Sequence, residues 1–233
     1  MNMDALDRII EIATAIHAMD LARDLVAIRQ RAMAGNSELI FPLVGEFSSG
    51  KTTLINALTD SKKLETATQP TTATIYEIHF GCEKCHAQVY DEKGNVTEID
   101  DMDALKNEVL KDATVVNVFD TSTQVPPTTI LVDTPGLSSP DPKHKQTLVD
   151  FLPKADGIFL VTDVNQQITR SLTDFIEMMK LSKRPIYLVI TKSDTKSASE
   201  LENVKRYICD NCKLPIQQMA CVSAVNHQLD EFH

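Results

Sequence analysis

A glycine-rich segment at residues 45–52 constrains this chain more than any other part of it. The segment fits the pattern Gly-x-x-x-x-Gly-Lys-Ser/Thr. Its fixed positions are Gly45, Gly50, Lys51 and Thr52. An apolar run at 39–44 precedes the segment, and apolar residues at helical spacing follow it. A strand that delivers such a loop, and a helix that leaves it, bring backbone N–H groups towards phosphate oxygens. The sequence therefore predicts a phosphate-binding loop.

The side chains of this loop have separate expected roles. Lys51 is expected to reach the terminal phosphates of a nucleotide, and the Thr52 hydroxyl is expected to bind Mg²⁺. The other residues expected to line the phosphates are Gly45, Ser48, Ser49, Gly50 and Thr53.

From residue 38 onward, apolar runs alternate with helical patterns, which is typical of a largely parallel sheet with helices on both faces. The predicted strands are 38–44, 73–80, 86–91, 95–99, 115–119, 129–133, 157–163, 185–191 and 216–222. The predicted helices are 51–60, 102–111, 145–152, 168–181 and 198–211. A turn at Gly94 predicts a hairpin over 86–99, inserted beside the second strand. We expect an α/β domain of the P-loop class over 37–224.

The first 36 residues form a separate region. Helical spacing predicts one long helix over 3–34 that ends at Gly35. Its first apolar stripe is Leu6, Ile9, Ile10, Ala13 and Ile16, and its second is Leu21, Leu25, Ile28 and Ala32. Two stripes on different faces favour packing against two different partners. The alternative is a single helix that wraps the core of its own domain.

The segment at 130–136 is an apolar strand that ends in Asp-x-x-Gly. Ligands of open α/β sheets bind at the carboxyl ends of the strands, where Asp133 is placed by this pattern. Asp133 is expected to hold a Mg²⁺-bound water. The backbone N–H of Gly136 is expected to approach the γ-phosphate.

The segment at 186–194 is a second apolar strand, and it ends in Thr-Lys-Ser-Asp. The Asp194 carboxylate can accept hydrogen bonds from the ring N–H and the amino group of guanine, and adenine offers no such pair of donors. The stem of Lys192 is expected to lie along the face of the base. Ser223 and Ala224 follow the last strand and are expected to complete the base pocket.

A GTPase also needs a mobile threonine between these motifs, which contacts Mg²⁺ and the γ-phosphate only in the GTP state. Thr72 is the predicted switch residue, and Thr71 is the close alternative.

Taken together, the chain resembles the GTPase domain of the dynamin superfamily, most closely the bacterial dynamin-like proteins. The resemblance covers about residues 38–224, and the N-terminal helix also resembles the one that precedes this domain in dynamin-like proteins. The segments that carry it are 45–58, 70–72, 133–137, 151–156 and 163–167. It implies a GTP or GDP ligand, Mg²⁺, GTP hydrolysis, and a homodimer through the nucleotide face. It also implies membrane remodelling by a longer protein, in which residues 225–233 begin a further segment.

Two positions depart from better-known GTPases. Leu137 stands where Ras-like GTPases carry a water-orienting glutamine, and Phe47 stands where eukaryotic dynamins carry a catalytic glutamine. The expected catalytic residues are therefore Lys51, Ser48 and Thr72, with further groups supplied by dimerisation. The resemblance also suggests a monovalent cation, K⁺ or Na⁺, near Ser48.

The net charge of −10 disfavours a nucleic-acid surface and direct electrostatic docking on anionic lipid. No apolar run approaches the ~20 residues that span a bilayer, and no secretory signal is visible. We expect a cytoplasmic chain that meets a membrane only through regions outside this sequence.

The five cysteines, Cys82, Cys85, Cys209, Cys212 and Cys221, include two Cys-x-x-Cys pairs. The first pair follows the second predicted strand and the second pair ends a late helix, so the two pairs are expected near opposite edges of a six-stranded sheet. At ~4.8 Å per strand this separation is about 24 Å, which favours independent reduced thiols over a shared zinc site. His144 is expected to be a surface residue.

Two alternatives remain open from sequence. One is a nucleotide-dependent switch that recruits a partner, with incidental hydrolysis, which the missing glutamines support. The other is an RNA-associated, Era-like GTPase, which the acidic charge disfavours.

Overall fold

The computed structural model describes residues 3–15, 26, 38–60, 74–105, 107–110, 112–137, 139, 142–166, 168–181, 184–226 and 228–229. The chain divides into two compact units, Met1–Glu38 and Leu39–His233. In the first unit, helix α1 spans Met3–Ala15. The side chains of Ile9 and Ile12 on this helix are exposed. Apart from residue 26, the rest of the predicted 3–34 helix and its end at Gly35 lie outside the described residues.

The second unit alternates strands and helices along the chain. Its strands are β1 Leu39–Gly45, β2 Ile75–His79, β3 His86–Asp91, β4 Val96–Ile99, β5 Ala113–Phe119, β6 Thr129–Asp133, β7 Ile158–Asp163, β8 Ile186–Thr191 and β9 Met219–Cys221. Its described α-helices are α2 Lys51–Leu58, α3 Asn107–Leu110, α4 Pro142–Phe151, α5 Arg170–Leu181 and α6 Ala198–Cys212. The predicted strands and most predicted helices are confirmed to within a few residues.

The nine strands form one sheet in the order β4-β3-β5-β2-β6-β1-β7-β8-β9. From β6 to β9 every neighbouring pair is parallel. β2 is antiparallel to β6 and parallel to β5, and the β3–β4 hairpin is antiparallel to β5. The predicted fold class, a mostly parallel sheet of the P-loop type, is confirmed.

Helices cover both faces of this sheet because successive strand residues point to opposite sides. Leu43 of β1 packs in the core cluster that contains α2, whereas its neighbour Val44 packs in the cluster that contains α4, α5 and α6. Leu160 and Val161 of β7 divide between the two clusters in the same way. The strands that carry the site are therefore buried on both sides, as continuous apolar runs predict.

The hairpin over 86–99 forms, but its predicted place beside the second strand is wrong. β5 pairs with β2 in parallel and separates it from β3. Local sequence patterns define strands and turns but contain no information on which later strand pairs with which earlier one. The hairpin therefore forms the two outermost strands on one side of the sheet, beside a strand that comes after it in the chain.

Three further expectations need correction. The segment 102–111 forms a 3₁₀ turn at Met102–Ala104 and the short helix α3, rather than one helix. The segment 216–222 contributes only three strand residues, after a 3₁₀ turn at Ile216–Gln218. The sheet has nine strands, not the six assumed for the cysteine estimate.

All five cysteines are free thiols. No helix in the described part of the chain is long and apolar enough to cross a membrane.

The carboxyl end of α2 is held by the turn between β5 and β6. The buried Ser122 hydroxyl donates to the carbonyl oxygen of Leu58, the last residue of α2, at 2.8 Å. The buried Asp120 carboxylate accepts from the backbone N–H groups of Asp60 at 3.0 Å and Ser122 at 2.8 Å. The helix that leaves the phosphate loop is therefore fixed at its far end.

We predict that Ser122→Ala lowers the free energy of unfolding by about 1–3 kcal/mol, because it leaves a buried carbonyl of α2 without its side-chain donor. Thr123→Ala is the matched control, since Thr123 is exposed in the same turn. Chemical denaturation of both variants measures the difference. Equal stability of the two variants would contradict the anchoring role of Ser122.

Candidate functional site

The candidate site lies along one edge of the sheet, where five parallel strands end. β6, β1, β7, β8 and β9 run in the same direction, so their carboxyl ends meet at this edge. The residues at or just after these ends are Gly45, Asp133, Asp163, Thr191 and Ser223. This is the edge at which open α/β sheets bind ligands.

The phosphate-binding loop has the tight turn that its sequence predicts. Gly50 has φ +92°, and Ser48 has φ 60°, so two loop residues adopt the left-handed conformation. A Cβ atom on Gly45 would lie 2.1 Å from the backbone oxygen of Val161 in β7, so only glycine fits beside that strand. The loop therefore leaves β1 in close contact with β7 and leads into α2.

Lys51 lies under the loop with little exposure to solvent. Its Nζ donates to the backbone oxygens of Gly45 at 3.1 Å and Glu46 at 2.9 Å. Burial lowers the pKa of Lys51, although the carboxylates of Asp133 and Glu46 act in the opposite direction. The amine occupies the place from which it can turn towards phosphate oxygens, whose negative charge favours the protonated form.

The Thr52 hydroxyl donates to Asp133 Oδ2 at 2.8 Å and links the start of α2 to the end of β6. Asp133 is buried, and burial raises the pKa of its carboxyl group, partly offset by Lys51 and Thr52. Its other oxygen, Oδ1, is buried without a hydrogen-bond partner. A hydroxyl and an unpartnered carboxylate oxygen are the oxygen donors that Mg²⁺ prefers. These two residues therefore fit the predicted magnesium position.

The end of β8 joins the phosphate loop to the predicted base-reading turn. The buried Thr191 hydroxyl donates to the Ser49 backbone oxygen at 2.7 Å. Three residues later, Asp194 Oδ1 accepts from the Ser223 hydroxyl at 2.6 Å. The backbone N–H of Ser223 donates to the Gln228 backbone oxygen at 3.0 Å, which holds the backbone that carries this hydroxyl. The predicted guanine-reading residues lie together.

Lys192 reaches back from this turn towards the phosphate loop. Its Nζ lies 2.5 Å from Asp163 Oδ2 and 3.4 Å from the Ser48 backbone oxygen. Its backbone is left-handed, with φ 58°. The side chain therefore spans the space between the phosphate loop and the end of β7.

Two acidic residues of the site have no role predicted from sequence. Asp163 forms an ion pair with Lys192. Burial raises the pKa of the Asp163 carboxyl, but hydrogen bonds from Lys192 and Asn165 outweigh this effect, and the net pKa is below its ordinary value. Glu46 Oε1 accepts from the Thr169 hydroxyl at 2.5 Å, which connects the phosphate loop to the residue preceding α5. Asp163 ends an apolar strand as Asp133 does, so the same pattern contained a signal for it. The Glu46–Thr169 contact joins residues 123 apart in sequence, and no local signal indicates it.

The remaining predicted residues are less closely tied to the site. Gly136 follows Asp133, and a Cβ atom there would lie 3.1 Å from the Phe47 backbone nitrogen. Thr53 is exposed on α2, Ala224 is half-buried, and the Ser49 hydroxyl is buried without a hydrogen-bond partner. Thr71, Thr72 and the side chain of His144 lie outside the described residues.

This fold and this edge define the chain as a P-loop nucleotide-binding domain of the GTPase class. The family model described as the dynamin family matches residues 42–194. The match covers more than half of the 233 residues, and the chain belongs to the dynamin family.

Several known proteins are similar to this chain. An uncharacterized protein in the xynA 3'region of Caldicellulosiruptor sp. is 27% identical over 204 residues, which cover 83% of this chain and 49% of the relative. Dynamin-like protein A of Bacillus subtilis is 24% identical over 213 residues, which cover 89% of this chain and 17% of the relative. A solved chain of an oligomerised bacterial dynamin pair matches in fold with a TM-score of 0.65 at 18% identity, over 98% of this chain and 39% of that one. The chain thus spans half or less of each of these relatives.

We predict that Thr191→Val lowers the free energy of unfolding by about 1–3 kcal/mol, because its hydroxyl no longer donates to the backbone oxygens of Ser49 at 2.7 Å and Thr162 at 3.2 Å. The change keeps the shape of the side chain, so the loss of this hydroxyl donor is the main difference. Thr129→Val, on the half-buried start of β6, is the matched control. Denaturant titration should show a loss in Thr191→Val that Thr129→Val lacks; equal losses would refute the assignment.

Proposed function

We propose that this domain binds Mg²⁺ and GTP at the edge formed by β6, β1, β7, β8 and β9 and hydrolyses GTP to GDP and phosphate. One observation carries the proposal. Lys51, the Thr52–Asp133 pair and Asp194 come from three separate sequence motifs, and hydrogen bonds to neighbouring residues hold each of them at the same edge.

The phosphates are assigned to the loop and to the start of α2. Lys51 exchanges its bonds to the Gly45 and Glu46 carbonyls for bonds to phosphate oxygens, and these charge-assisted bonds are stronger. Thr52 and Asp133 would hold a magnesium ion, which would neutralise charge on the phosphate oxygens. Backbone N–H groups of the glycine-rich loop contact the remaining oxygens.

The base is assigned to the turn after β8. Asp194 accepts hydrogen bonds from the guanine ring N–H and amino group, and the Ser223 hydroxyl orients its carboxylate. Lys192 places its stem along the face of the base while its amine stays near Ser48 and Asp163. Ala224 lies beside this pocket.

Hydrolysis proceeds by attack of water on the γ-phosphorus, which breaks the bond to the β-phosphate oxygen. The side chains at the two glutamine positions cannot orient this water. Leu137 is apolar and packs against the core cluster that contains α4, α5 and α6, and Phe47 is 63% exposed on the loop. Ser48 and the Thr72 backbone remain as groups of this chain, together with a K⁺ or Na⁺ ion near Ser48.

A second copy of the domain supplies what one copy lacks. Pairing across the nucleotide faces would cover the exposed ring of Phe47, exclude water, and close the segment that contains Thr72. The related solved structure comes from an oligomerised bacterial dynamin pair, which supports a paired state. Preorganised groups at the γ-phosphate are the usual origin of the rate gain in this reaction.

The cellular role belongs to a longer protein. The matched bacterial dynamin pair is described as sensing and tethering membranes over long range. We propose that this domain powers membrane remodelling through regions outside the present sequence. The competing proposal is a switch that recruits a partner in its GTP state, and the apolar residues Leu137 and Phe47 favour it.

Asp194→Asn tests the base assignment. The substitution replaces one acceptor with an amide donor, which mismatches the guanine amino group and suits the 2-oxo group of xanthine. We expect GDP affinity to fall at least tenfold while affinity for xanthosine diphosphate rises. Calorimetric titration measures both, and Asp210→Asn on α6 is a control at a distant acidic residue. Unchanged GDP affinity in Asp194→Asn would remove Asp194 from the base pocket.

Concentration dependence tests the pairing. We expect GTP turnover per chain to rise with protein concentration and with added K⁺ or Na⁺, and Phe47→Ser to weaken the rise. Leu181→Ser is the matched control, because Leu181 is also exposed. Leu181 ends α5, the helix that connects the parallel strands β7 and β8, so it lies at the opposite end of these strands from the candidate site. Turnover that stays constant over about a hundredfold range of concentration would favour the switch.

A further inference from the structure

A carboxylate to which the sequence assigns no role in the site is in direct contact with the lysine assigned to the base. Asp163 Oδ2 at the end of β7 lies 2.5 Å from Lys192 Nζ. The Asp163 side chain is 9% exposed and the Lys192 side chain 46% exposed. The ion pair therefore has its carboxylate almost buried in the protein and its lysine partly exposed to solvent.

The lysine is held at both of its ends, at the backbone and at the amine. Its backbone adopts φ 58° and ψ 34° at the start of the turn that carries Asp194. Its amine also lies 3.4 Å from the Ser48 backbone oxygen in the phosphate loop. A free lysine side chain loses rotamer entropy when it becomes ordered, and here part of that ordering precedes nucleotide binding.

The carboxylate is itself held in place. Asp163 Oδ1 accepts from the backbone N–H of Asn165 at 2.8 Å and from its amide Nδ2 at 3.3 Å. The same amide donates to the Thr195 hydroxyl at 3.1 Å, in the turn after β8. Asp163 is thus connected to the base-reading turn at two points, through Lys192 and through Asn165.

We propose that Asp163 is a positioning residue that presets Lys192 against the nucleotide base. This inference rests on the proposed function, since it assumes that Lys192 contacts a bound nucleotide. The stem of Lys192 contacts the face of the base, whereas Asp194 reads its hydrogen-bonding edge. Asp163 therefore contributes to the affinity for the nucleotide and leaves the choice between guanine and xanthine unchanged.

Asp163→Asn tests the inference, because it removes the charge and keeps the size and an acceptor for Asn165. Calorimetric titration with GDP and with xanthosine diphosphate gives the affinity and the ratio between the two. Because the pair is partly exposed, we expect both affinities to fall roughly threefold to tenfold at a constant ratio. Asp174→Asn is the control, since Asp174 forms an exposed ion pair with Arg170 on α5. An unchanged affinity, or a changed ratio, would overturn the inference.

A double-mutant cycle separates positioning from a general loss of stability. Lys192→Met keeps the apolar stem and removes the amine, so Asp163→Asn should cause little further loss of affinity in that background. Additive losses would overturn the inference. Asp163→Ser is the second variant if Asp163→Asn does not fold, with the same expectation. Failure of the wild-type domain to bind GDP would refute the proposed function itself, whereas normal wild-type binding with no effect of Asp163 would refute this inference alone.

Discussion

Parallel pairing of β6, β1, β7, β8 and β9 is the constraint on which the rest of the structure depends. It brings five strand ends to one edge, and each end contributes a residue to the candidate site. Both faces of these strands are buried, so a shift of register by one residue would exchange the two core faces. The positions of Gly45, Asp133 and Thr191 are therefore fixed by the packing of the whole sheet.

The site places charged groups where burial opposes their charge. Burial raises the pKa of Asp133 and lowers that of Lys51, so both groups favour their neutral forms more than they do in water. A buried carboxylate oxygen without a partner is destabilising until a cation reaches it. Burial thus opposes the charged forms of Lys51 and Asp133, and contacts with phosphate and magnesium would offset this cost. Binding of both is expected to stabilise the folded domain.

Much of the fold could be predicted because its strong signals are local. Apolar runs followed by Gly45, Asp133 or Thr191 mark strands and their carboxyl ends, and the structure confirms these strands. The order of strands is non-local, so the sequence pattern places the hairpin over 86–99 beside β2, whereas it pairs with β5. The helical pattern at 102–111 is longer than helix α3, because a 3₁₀ turn replaces its first part.

In the candidate site, too, local motifs predict some residues, whereas contacts between distant parts of the chain could not be predicted. Lys51, Thr52, Asp133 and Asp194 belong to short motifs, and the structure brings them to one edge, although their roles in binding remain predictions. The contacts of Asp163 and Glu46 involve partners 29 and 123 residues away, so only the folded chain reveals them. Thr71 and Thr72 lie outside the described residues, and the choice between them stays a prediction.

The most direct test of the central claim is a calorimetric titration of the domain with GDP in the presence of Mg²⁺, repeated with ATP and with the Lys51→Ala variant. Lys84→Ala is a control, because Lys84 forms an exposed ion pair with Asp100 near the β3–β4 hairpin. We expect one GDP per chain and no ATP binding. We also expect GDP affinity at least tenfold lower in Lys51→Ala, which loses a charge-assisted contact of about 1.5–3 kcal/mol, and unchanged affinity in Lys84→Ala. Equal GDP affinity in the wild-type domain and Lys51→Ala would contradict the account, because the glycine-rich loop would not be the phosphate site.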